Sequence, residues 1–131
     1  MMKKLVVLLL LMVSTNVFAE WTEVNGNKDA GLTTYVDYGT IKNQNNKVKI
    51  WTLYDYKRVQ QVEDSRFLSS VTHTEYNCEE ETSRMLDVYW YSGNMRNGEI
   101  VWSSTNIKKE TVSIIPESID EGNFNIACGK K

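Results

Sequence analysis

Histidine is nearly missing from this chain: His73 stands alone among 131 residues. Cysteine is limited to Cys78 and Cys128, and proline to Pro116. A structural zinc cage draws four ligands mostly from Cys and His, so this inventory excludes one. A lone histidine, with no nucleophile elbow, Gly-rich phosphate loop or paired-carboxylate motif, leaves no constellation for catalysis. The chain is therefore not expected to be an enzyme, and no cofactor motif is present. Basic charge is not in excess either. Lys and Arg number 15 against 17 Asp and Glu, without a basic stripe, so nucleic acid has no electrostatic footprint to follow. No internal repeat, low-complexity segment or linker interrupts the chain.

The one long apolar run is Leu5 to Val13, within "MMKKLVVLLLLMVSTNVFAEW". Lys3 and Lys4 precede it, and Val17 and Ala19 place small residues at −3 and −1. This is the form of a secretory signal peptide, with cleavage expected after Ala19. A membrane-spanning helix would need about 20 apolar residues. No cysteine precedes Glu20, so no lipoprotein attachment site is expected. The expected organisation is a signal peptide over 1–19 and one soluble domain over 20–131, without a transmembrane segment. Without Lys3 and Lys4 the domain carries 13 basic residues against 17 acidic, a net charge of −4. The expected destination is the periplasm or cell surface of a Gram-negative bacterium.

Export bears on the cysteines. Cys78 lies in "EYNCEEE", among Glu75, Glu79, Glu80 and Glu81. Three roles are open: reactive thiol, metal ligand or half of a disulfide. The carboxylates disfavour a thiolate, and a metal site lacks further ligands. Two cysteines in an oxidising compartment most often pair. A Cys78–Cys128 bridge would close a loop of about 50 residues, contributing roughly 4 kcal/mol in the chain-entropy view.

From Trp21 to about Lys108, Val, Ile, Tyr, Trp and Thr recur between Gly- and Asn-bearing breaks, a strand pattern. The expected strands are "WTEV", "LTTYVDYGTI", "KVKIWTLYDYK", "FLSSVTHTEYNC", "SRMLDVYWYS" and "EIVWSSTNI". "NGNKDAG", "KNQNN", "RVQQVEDSR", "EEE" and "GNMRNG" read as their connections. In the third strand Val48, Ile50, Thr52, Tyr54 and Tyr56 share one side, and Trp51 and Leu53 the other. Its centre is apolar on both faces, as in an inner strand covered on each side. In the fifth, Leu86, Val88 and Trp90 alternate with Met85, Asp87, Tyr89 and Tyr91. The tail changes period. Ile115, Ile119, Gly122 and Ile126 recur at helical spacing after Pro116, with Glu117, Asp120 and Glu121 early and Gly129 late. This predicts a helix from about Glu117 to Cys128, which a disulfide would tie to the end of a strand.

Taken together, "VKIWTLYDYK", "FLSSVTHTEYNCEEETSRML", "YSGNMRNGEIV" and "IPESI…IACGKK" resemble the surface-adhesin protein E family of Gram-negative bacteria. The resemblance spans nearly the whole exported chain. It implies an α+β fold: a curved antiparallel sheet of about six strands, with a C-terminal helix packed on it and tied by a disulfide. It also implies an adhesin that binds protein partners. The family's namesake sits on the outer membrane and binds vitronectin, laminin, plasminogen and haem. This chain departs from it in lacking a lipid-attachment cysteine, so a periplasmic interaction module or envelope-assembly subunit is the alternative. The cysteine pair alone carries over from the family's functional residues.

Several residues are candidates on chemistry alone. His73 and Glu75 share one strand face, as an acid–base pair, a haem or metal ligand, or a solvated surface; the last is expected. Glu79 to Glu81 fit no calcium loop and read as a charged turn. Trp21, Trp51, Trp90 and Trp102, with seven tyrosines, suit a recognition surface, but packing in the core and beneath the helix is the expectation. Lys47, Lys49, Lys57 and Arg58 can meet an acidic partner, yet read as edge protection.

Overall fold

The computed structural model describes residues 20–107 and 110–130; the expected signal peptide lies outside them. β-branched and aromatic residues in alternation produce eight strands. They are β1 (Thr22–Asn27), β2 (Leu32–Val36), β3 (Lys42–Gln44), β4 (Lys47–Val62), β5 (Ser65–Asn77), β6 (Thr82–Tyr91), β7 (Ile100–Ser104) and β8 (Val112–Ser113). Among the described residues one α-helix, α1 (Ile119–Ala127), follows the strands. All strand pairings are antiparallel, in the order β1-β2-β4-β5-β6-β7. The short strands extend two of these positions: β3 continues the place of β2 beside β4, and β8 pairs with the start of β6. The expected six strands are therefore the six positions of an open sheet.

The boundaries differ from the expected ones chiefly at the turns. "RVQQV" is not a connection. It prolongs β4 to 16 residues, because the hairpin zips up to Val62↔Ser65 around the Glu63–Asp64 turn. "KNQNN" contains β3, and the turn is Asn45–Asn46, whose φ of 52° and 65° are what a two-residue hairpin needs. "NGN" belongs to β1, and "EIVWSSTNI" is not the final strand, since β8 follows. A bulge at Leu86 interrupts the alternation of β6. Thr74 faces Met85 and Glu75 faces Arg84, so Met85 lies on the opposite side from Asp87, Tyr89 and Tyr91.

α1 begins two residues later than expected. Pro116 lies in the preceding turn, and Glu117 has a left-handed φ of 62°. Ser118 is the N-cap: its Oγ accepts from the Glu121 N–H at 3.1 Å. At the far end Gly129, at φ 67°, completes a Schellman motif. Its N–H donates to Ile126 O, and that of Lys130 to Asn125 O. Cys128 caps the helix and is bridged to Cys78, at the turn after β5, with Cα atoms 5.6 Å apart.

The helix covers one end of one sheet face. Val36, Val48, Ile50 and Tyr76 meet Phe124 and Ala127 there in a buried cluster. A polar seam runs beside it. Tyr76 Oη donates to Asp120 Oδ1 at 2.6 Å, Ser83 Oγ donates to Asp120 Oδ2 at 3.2 Å, and Asn123 Nδ2 donates to Tyr54 Oη at 3.1 Å. Burial pushes both tyrosine hydroxyls far above their usual range, and the Asp120 charge adds to the rise. The unfolded chain loses these protons near pH 10 while the fold retains them. This stabilisation is therefore complete below about pH 10 and declines above it, by about 1.4 kcal/mol per pH unit for each tyrosine. Urea midpoints measured from pH 8 to 11.5 should stay level and then fall; Tyr76→Phe should flatten the fall. A midpoint unchanged to pH 11.5 would contradict the seam.

No tryptophan joins the helix–sheet cluster. On the helix side but outside the cluster, Trp90 stacks on the buried Phe67 at 4.4 Å and lies tilted against Trp102 at 4.3 Å, and Trp102 is 40% exposed. Trp21 and Trp51 lie against the other face. Trp90 thus packs on the core, but the expected packing beneath the helix fails for all four, because the helix is only nine residues long and roofs only one end of the sheet.

Candidate functional site

The sheet face turned away from α1 carries a graded set of side chains, set out by strand register. One level holds Lys42, Lys49, Glu75 and Arg84 across β3, β4, β5 and β6. The next holds Trp51, His73 and Asp87; the next Tyr35, Leu53, Val71 and Tyr89; the last Thr33, Asp55, Ser69 and Tyr91. Cations thus occupy one end and aromatic rings the middle and the other end.

The hairpin loop before β7 folds onto the aromatic end. Ser69 Oγ donates to Gly93 O at 2.6 Å and accepts from the Arg96 N–H at 3.0 Å. Asp55 Oδ1 accepts from the Met95 N–H at 2.8 Å and from Asn94 Nδ2 at 3.1 Å. Beside this loop Leu53 is fully buried and Val71 nearly so. The two-sided burial expected of β4 therefore holds, with α1 on one face and this loop on the other. The loop keeps Met95 and Arg96 at φ of 51° and 64°. For non-glycine residues such backbone costs about 1 kcal/mol or more each and persists only where surroundings enforce it. The result is an Arg96 side chain at the rim, with Nε donating to Tyr91 Oη at 3.3 Å and the guanidinium 6.0 Å from that ring's centre.

Between loop and sheet lies a groove of about 480 Å³, lined by Trp21, Trp51, Tyr89, Tyr91, Asp37 and Arg96, among others. That volume is in the range of small-ligand sites. Trp51 forms part of its wall and stacks on His73, with centroids 4.3 Å apart and planes 4° apart.

His73 and Glu75 do share this face, but the structure gives each a different partner. His73 Nδ1 lies 3.1 Å from Asp87 Oδ2, and Glu75 accepts from Arg84 Nη2 at 3.1 Å. The ring is thus wedged between Trp51 and Asp87, not freely solvated. Among the described residues no hydroxyl or thiol is bonded to it, so the pair lacks a nucleophile. Among the described residues, too, no three His, Cys, Asp or Glu side chains gather as a metal site.

The Glu79 to Glu81 segment is a turn, in which Asn77 Oδ1 accepts from the Glu79 and Glu80 N–H groups. Glu81 pairs with Lys130 at 3.4 Å. The lysines of β4 are not edge guards, because β4 is an inner strand. Lys57 and Arg58 sit at the irregularity between Asp55 and Gln60, away from Lys47 and Lys49. Sequence reasoning missed Lys42, hidden in an assumed loop, and Arg96, in a turn whose backbone only the fold specifies. Tyr89 and Tyr91 were visible in the alternation of β6, without a partner surface to give them meaning.

A sequence model described as surface-adhesin protein E matches residues 21–129. Among solved structures, the chain is similar to protein E of Haemophilus influenzae. One structure gives a TM-score of 0.60 at 17% identity, covering 88% of each chain. A second crystal form gives 0.59 at 16%, covering 82% of this chain and 87% of that one. A structure of protein E from the non-typeable organism gives 0.57 at 16%, covering 88% and 79%. Identities this low speak to the fold alone. Comparison with curated protein sequences gives no match.

Proposed function

Because the chain belongs to the surface-adhesin protein E family, we propose that it is exported by a leader over 1–19 and works as a surface adhesin. In this reading the single domain over 20–131 binds a protein partner of the host matrix or serum and catalyses nothing. The observation that carries the proposal is the face away from α1. Trp21, Trp51, Tyr89 and Tyr91 line an open groove there instead of filling the core. Rigid aromatic side chains supply contact area at low entropic cost, which suits recognition. The His73–Asp87 pair without a nucleophile fits a binding role better than turnover. No helix among the described residues is long and apolar enough to cross a membrane.

Two measurements test the proposal in order. Protease shaving of intact cells should remove the protein if it is on the surface. Purified exported protein should then bind immobilised vitronectin, laminin or plasminogen saturably. Protection from the protease, together with no saturable binding, would defeat the adhesin reading in favour of a periplasmic interaction module.

A further inference from the structure

The cation row has more positive charge than its neighbours neutralise. Lys42 and Lys49 stand directly opposite each other on adjacent strands, an arrangement that repels. Lys49 faces Glu75 on its other side, but that carboxylate is engaged by Arg84. Among the described residues neither Lys42, Lys47 nor Lys49 has a carboxylate within ion-pair distance. In a chain with more acid than base, unpaired lysines on the same face as an aromatic groove call for an anion. Arg96 points the same way. Among the described residues its guanidinium makes one side-chain hydrogen bond, through Nε, and both Nη groups remain for a ligand.

The groove adds a second requirement. A cationic ligand would suit rings and Asp37, but it would be repelled by Arg96 and the lysines. An acidic peptide would satisfy the lysines but would not need a ring-lined hollow. A sugar ring offers both faces of the chemistry, with C–H groups against Trp and Tyr and hydroxyls toward Asp37. From Trp51, Lys49 and then Lys47 follow on the same side of β4, about 7 and 14 Å away at strand spacing. That separation matches successive units of a chain, not one small molecule.

We propose that the face away from α1 binds an acidic glycan chain, one sugar ring seated between Trp51 and Tyr91 and its carboxylate or sulfate groups met by Arg96, Lys42, Lys47 and Lys49. The proposal rests on the reading of this face as the contact face. Its test uses purified protein, so a failure of surface exposure does not touch it. Heparin, hyaluronate, neutral dextran and polyglutamate are titrated against the exported protein, following tryptophan fluorescence and retention on the immobilised polymers. Saturable, salt-sensitive binding to heparin or hyaluronate is expected, with a fluorescence change and no binding to dextran. Trp51→Ala and the double variant Lys42→Gln/Lys49→Gln should each weaken it at least tenfold with the thermal midpoint nearly kept. If Trp51→Ala does not fold, Arg96→Gln at the exposed rim takes its place and should weaken binding likewise. The proposal is overturned by any of three results: no saturable binding to either acidic glycan, polyglutamate binding as tightly as they do, or wild-type affinity in the groove variant.

Discussion

Replacing Cys128 with alanine is expected to lower stability by about 2–5 kcal/mol and to release the C-terminal helix. The bridge spans a sequence separation of 50 residues, so its loss returns a large closed loop to the unfolded ensemble. Packing of Phe124 and Ala127 and the hydrogen bonds of Asp120 and Asn123 also hold α1 to the sheet, but the bridge is its one covalent tie. The helix is nine residues long, too short to be stable alone. Beyond Cys128 its end is held by Lys130, whose Nζ donates to Cys78 O at 3.3 Å. That contact depends on the geometry the bridge sets up. Urea unfolding of the variant, or of the reduced wild type, should show a lower midpoint. Helical circular dichroism should fall before the sheet signal does. Thiol labelling of the denatured, unreduced wild type should find no free thiol. Two labelled thiols, or an unshifted midpoint in the variant, would refute the claim.

Phe124→Ala should cost about 3–5 kcal/mol, the range for emptying a buried aromatic site. Phe124 is 3% exposed. Its ring meets Tyr76 edge-on, with centroids 5.9 Å apart and planes at 66°, and Lys130 Nζ lies 4.9 Å over its centre. Backbone strands cannot close the hole, because Val48, Ile50 and Tyr76 are fixed by the sheet. Combined with Cys128→Ala the loss should be less than additive, since both changes release the same helix and it can be released only once. Strict additivity would mean that the bridge and the packing act on separate parts of the structure. A Phe124→Ala cost under about 1 kcal/mol would mean that α1 contributes little to the core.

How legible the architecture was depended on the range of the interaction. Helix Ile119–Ala127 is visible because its period and its glycine stop are local, and it starts two residues after the expected Glu117 because Ser118 supplies the cap. The inner position of β4 was visible because apolar residues on both of its sides leave no other place for it. The end of β4 was not, because Gln60, Gln61 and Val62 are strand only by pairing with Phe67, Arg66 and Ser65. The groove was the least visible part. Trp21, Trp51, Tyr89 and Arg96 come from four separated segments, and a tryptophan has the same local signature whether it fills a core or lines a surface.

The residues by themselves determined the pairing of two cysteines once export was granted, the strand-rich class, the terminal helix and the poverty of catalytic groups. Each follows from composition or from periodicity within one segment. Tertiary structure alone decided which tryptophans are left uncovered, that Lys42 stands opposite Lys49, and that His73 is held by Trp51 and Asp87 and not by Glu75. Those outcomes hang on strand register, on the bulge at Leu86 and on a helix that roofs only one end of one face. A one-residue slip in any of these pairings would turn the side chains concerned to the opposite side of the sheet.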